Sequence, residues 1–122
     1  MMTCEIVLQV CLGLIGLIAL LGGTLQLWLG QPETTPRLDN VHRFMAGVYL
    51  ATAPMSLWAA WTIRDQSTLV YLIALGAFLG GCGRLLSIAR VGWPEPRRVW
   101  LAYLMPELIL PAIIVVAQLS RG

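Results

Sequence analysis

Glu107 stands alone in the stretch YLMPELILPAII, between Pro106 and Pro111, with no other charge between Arg98 and Arg121. Counted from Val99, it lies about 12 Å along a helix at 1.5 Å per residue. A glutamate side chain is too short to reach water from that depth of a membrane, so it must be protonated, hydrated or paired. Tyr103, one turn earlier, is a potential donor. The cationic candidates are Arg84 in GGCGRLLS and Arg43 in LDNVHRF, the latter with Asn40 one turn before it. Arg84 falls about 8 Å inside its helix end. Snorkelling to the head groups is open to it from there. Arg90 already serves that interface, however, so Arg84 is read as turned inward and paired. Asn40, Arg43, Arg84, Tyr103 and Glu107 then form one buried polar cluster. Two guanidinium groups facing one carboxylate leave it positive, suited to a phosphate or carboxylate.

The elements that must position this cluster follow from composition. Hydrophobic residues make up 58% of the 122, and charged residues only 11%. Soluble domains carry about a quarter charged residues, so the expected solvent is lipid. Four continuous apolar runs reach spanning length, at about 6–29, 44–63, 69–89 and 99–119. Continuous rather than alternating runs predict helices, since only helices and closed barrels satisfy their backbone in hydrocarbon. The expected fold is therefore all-α, a bundle of four transmembrane helices forming one domain over 1–122. Short links make consecutive helices antiparallel neighbours. The first run opens with Glu5 and no basic residue, and its apolar part is too long for a secretory signal, so it reads as a mature helix.

Asn40, Arg43, Gly47, Ala51, Pro54 and Trp58 recur at helical spacing, which predicts a packing face on the second helix. Asp39 or Asn40 is expected to cap that helix. On the third, Gly76, Gly80, Gly83 and Ser87 predict a groove of small residues for a partner backbone. On the fourth, Pro106 and Pro111 each remove an intrahelical donor and predict a kink. Arginine sets orientation, because the chain has no lysine. Arg37, Arg43, Arg90, Arg97 and Arg98 fall on one side, and Arg64 and Arg121 on the other. The bias places loops 30–43 and 90–98 in the cytoplasm and both termini outside an inner (plasma) membrane.

The remaining reactive groups point to little chemistry. Cys4 and Cys11 lie about 10.5 Å apart along one helix, too far for a disulfide, and with Cys82 they make no metal spacing. His42 is the only histidine and reads as an interfacial residue. No nucleophilic triad, phosphate loop or metal cluster is present, so no enzyme, cofactor or metal is expected. The scattered arginines give no basic surface for nucleic acid. The expected partners are the bilayer, an anionic lipid or membrane protein, and a second copy through the glycine-lined third helix.

LDNVHRFMAGVYLA, FLGGCGRLLSIARVGWPEP and PELILP together resemble a bacterial four-helix membrane family, domain of unknown function 4345, over about residues 6–119. The matching positions are Asn40, Arg43 and Gly47; Gly80, Gly81, Arg84 and Ser87; and Glu107. The resemblance implies the fold and the polar cluster but no reaction. A binding or accessory membrane protein is the expected function. The alternative is a small proton-coupled transporter using Glu107. Small multidrug exporters are similar in length, helix count and possession of a membrane glutamate, but theirs lies in the first helix without an arginine partner. A lipid-active enzyme drawing on Tyr103, His42 and Glu107 is the third reading.

Overall fold

The computed structural model describes residues 2–121 and contains four helices: α1 (Met2–Leu29), α2 (Pro36–Trp61), α3 (Thr68–Val91) and α4 (Arg97–Arg121). A short 3-10 turn, Ile63–Asp65, joins α2 to α3. The all-helical expectation holds. Helices α1 (from Thr3), α3 and α4 are long and apolar enough to cross a membrane, whereas α2 is not. Tyr49, Thr52, Pro54 and Ser56 dilute the apolar content of α2, and its first two turns are polar. Large apolar side chains such as Leu21, Phe44, Leu79 and Val116 project outward from all four helices. An apolar exterior of that extent fits lipid rather than water.

Helix α2 begins several residues before the apolar run. Thr35, not Asp39 or Asn40, is its N-cap, its side chain accepting from the Leu38 amide at 3.2 Å, with Pro36 opening the first turn. Proline suits that position because the amide it lacks has no helical partner there. Helix α1 ends at Gly30, whose φ of +67° carries the chain out of the helix while its amide still donates to Gln26. Helix α4 runs without interruption through Pro106 and Pro111.

Helix α1 packs most extensively against α2, α3 against α4, and α1 also against α4. Although consecutive in sequence, α2 and α3 barely touch, so the neighbour relation expected from their short link is not made. The apolar core lies toward the end holding the chain termini. There Leu8, Cys11 and Leu12 of α1 meet Ala59 and Ile63, Val70 and Ala74 of α3, and Ile114 and Ala117 of α4. That end is tied by Gln9 donating to the Ala60 carbonyl (3.0 Å) and by Arg121 donating to the carbonyls of Ile63 (2.7 Å) and Gln66. The other half of the molecule holds the polar pair.

The closest helix approaches are at Gly23, where a Cβ would lie 2.9 Å from the Leu50 backbone, and at Gly16, 2.8 Å from the Leu57 side chain. Gly81 provides the third, 2.8 Å from Leu108 and 3.3 Å from the Cβ of Glu107. The packing assigned to Gly47, Gly76, Gly80 and Gly83 is not made within the chain. A Cβ at any of them would meet no atom within 4 Å, and Ser87 is exposed. The buried face of α2 is Ala46, Ala53, Ser56 and Ala59, roughly half a turn from the Gly47–Ala51–Pro54–Trp58 face.

Candidate functional site

Close packing of α3 on α4 at Gly81 sets the geometry of the polar site. With no side chain at Gly81, α4 comes near enough for Glu107 to reach the next turn of α3. Arg84 Nε donates to Glu107 Oε2 at 2.7 Å, the short distance of a charge-assisted bond. Both side chains are mostly buried, 29% and 17% exposed. The guanidinium is flanked by aromatic rings, with its Cζ 5.8 Å from the Trp100 centroid and 5.4 Å from that of Tyr103. The two rings lie 5.7 Å apart and tilted. Trp100, Tyr103 and Glu107 follow one another at three- and four-residue steps, so α4 alone supplies the carboxylate and both walls. Tyr49, on the inner side of α2, lies within Coulombic reach of Glu107, Arg84 and Tyr103.

The pair uses only part of its bonding capacity. Among the described residues, Arg84 donates through Nε alone, and Glu107 accepts through Oε2 alone. The two terminal amino groups of Arg84 and Oε1 of Glu107 remain available. Tyr103 does not donate to Glu107; its contribution is the ring beside Arg84.

Arg43 does not join this site. Its Nε donates to both carboxylate oxygens of Asp39, at 3.2 and 3.0 Å, and its Nη1 donates to the Leu27 carbonyl at 2.6 Å and the Trp28 carbonyl at 3.4 Å. It caps the carbonyl end of α1, where a cation is favoured by the helix dipole. Asn40 is exposed. The predicted cluster thus separates into Arg84–Glu107–Tyr103 and an Asp39–Arg43 clamp on α1. One arginine faces one glutamate, so the pair is electrically balanced rather than positive.

Trp100, beside Arg84, extends the site beyond the candidates named from sequence, and its three-residue spacing from Tyr103 was the available signal. His42 Nε2, Ser56 Oγ and Gln118 Oε1 are buried without a hydrogen-bond partner among the described residues. A crevice of about 520 Å³ lined by Glu5, Gln9, Trp61 and Arg64 lies at the terminal end and includes none of the Arg84 cluster. No group of three metal-ligating side chains is assembled among the described residues.

A family model described as Domain of unknown function (DUF4345) matches residues 7–118, and the chain belongs to that family. No curated protein and no solved structure matches it.

Proposed function

For this member of the DUF4345 family, we propose an accessory or binding role in an inner (plasma) membrane, with Arg84 and Glu107 holding a lipid head group. In this reading all four helices cross the bilayer. Helix α2 crosses against the apolar face of α1, so its own composition need not carry insertion alone. Both termini lie outside, and the Arg84 pair sits in the cytoplasmic leaflet. The observation that carries the reading is the half-used ion pair. A guanidinium held at 2.7 Å by one oxygen, beside two adjacent aromatic rings, still presents two amino groups. Paired amino groups of this kind suit phosphate oxygens.

The 2.7 Å pairing also supports binding over proton carriage, because it commits the Glu107 carboxylate to a partner within the fold. A pair that serves packing alone is tested with Arg84→Leu/Glu107→Leu. Replacing both charges with apolar groups avoids an orphaned charge and is often neutral for folding. The expected result is a folded variant that loses most of the phospholipid phosphorus co-purifying with the wild type. A folded variant retaining the wild-type amount contradicts the reading.

A further inference from the structure

Resting on the head-group reading above, we infer that the preferred lipid is zwitterionic with a primary amine, a phosphatidylethanolamine, rather than a net anionic one. The argument is one of charge balance. A site made of two arginines and one glutamate would select an anion. The structure diverts Arg43 to Asp39 and the end of α1, leaving Arg84 and Glu107 as a neutral pair. The neighbouring Tyr49, Tyr103 and Trp100 add no formal charge. A net anion placed here would gain the Arg84 amino groups but stand beside an uncompensated Glu107 carboxylate.

The free atoms specify the complement. Arg84 retains donors on its two terminal nitrogens, and Glu107 retains an acceptor in Oε1. These lie side by side because the Nε–Oε2 bond joins the residues. A phosphate on the guanidinium and an ammonium on Oε1 would set the head-group dipole antiparallel to the protein dipole, with every charge answered. The ethanolamine ammonium can donate to Oε1, whereas the quaternary ammonium of choline has no hydrogen to give. Choline would ordinarily be recognised by aromatic faces. Here the Trp100 and Tyr103 rings already flank Arg84. Lateral access runs beside α3. Gly80, one turn before Arg84, is exposed with open space at its Cβ, and α2 and α3 barely meet.

The full-length protein is reconstituted into nanodiscs holding equal parts of phosphatidylethanolamine, phosphatidylglycerol and phosphatidylcholine, and lipids retained on release are quantified by native mass spectrometry. Phosphatidylethanolamine is expected to be enriched about tenfold over each of the others. In Glu107→Gln, Arg84 is left without a counter-charge, and the preference is expected to invert toward phosphatidylglycerol. Equal or stronger retention of phosphatidylglycerol by the wild type overturns the zwitterion inference while leaving head-group binding intact. Retention of no lipid overturns both.

Discussion

Arg84 is held by interactions of different kinds, and they separate by substitution. Losing the guanidinium leaves Glu107 mostly buried and unpaired. Arg84→Ala should therefore lower stability in detergent by about 2–3 kcal/mol, the scale of a hydrogen bond to a charged group. Trp100→Leu removes one aromatic flank but leaves the ion pair intact, and should cost about 1 kcal/mol. Thermal unfolding of the two variants checks the order; a Trp100→Leu loss equal to or larger than that of Arg84→Ala would contradict it. The Glu5–Arg64 bridge at the terminal end, with Arg64 78% exposed, belongs to the class of surface pairs that contribute little. The sequence made Glu107 legible, because nothing else in its apolar run could explain a carboxylate. It also pointed to Arg84. Arg43 was misassigned because depth along a helix does not say which way a long side chain turns. Asp39, one turn before Arg43 on the same helix, captures it locally, and the carbonyl end of α1 completes the capture.

At the scale of helices, the positions of small residues mattered less than what stands opposite them. Gly23 faces the Leu50 backbone, which has no rotamer through which to yield. Gly23→Ala should destabilise the α1–α2 pair by about 1–3 kcal/mol through overpacking. Gly80→Ala meets open space and should leave the monomer unchanged or raise its stability by about 0.5–1 kcal/mol through helix propensity. A thermal shift comparison of the two checks this, and a severe loss from Gly80→Ala would mean that the face is covered in the membrane. Helix existence was readable from the four apolar runs. Helix rotation was not, because α2 carries two stripes of small residues at helical spacing and only one can face α1. The Gly47–Ala51–Pro54 stripe ends in Trp58, whose exposed ring marks it as the outer face. The outward Gly76–Gly80–Gly83 stripe on α3 shows the same ambiguity, since Gly81, one position away, makes the contact with α4.

For the whole molecule, the apolar core lies at the terminal end and the polar pair toward the other, with α1 and α4 joining the two helix hairpins. In the proposed topology, four crossings would place the 30–35 and 92–96 loops together in the cytoplasm. In a cysteine-free background, Asp65→Cys should react with an impermeant maleimide in intact cells, while Glu33→Cys and Glu95→Cys should react only after permeabilisation. Labelling of Glu33→Cys and Asp65→Cys from the same side would show that α2 does not cross. The four helices could be read from hydropathy, but the open α2–α3 seam could not, because sequence order favours adjacency and the packing around α1 and α4 opposes it. In the proposed reading, that seam gives a head group lateral access to the Arg84 pair. The most direct test of head-group binding is native mass spectrometry of the protein released gently from its own membrane, as wild type and as Arg84→Ala. A phospholipid adduct that is retained by the wild type and lost in the variant is the predicted result. Identical adducts on both, or none on the wild type, would contradict it.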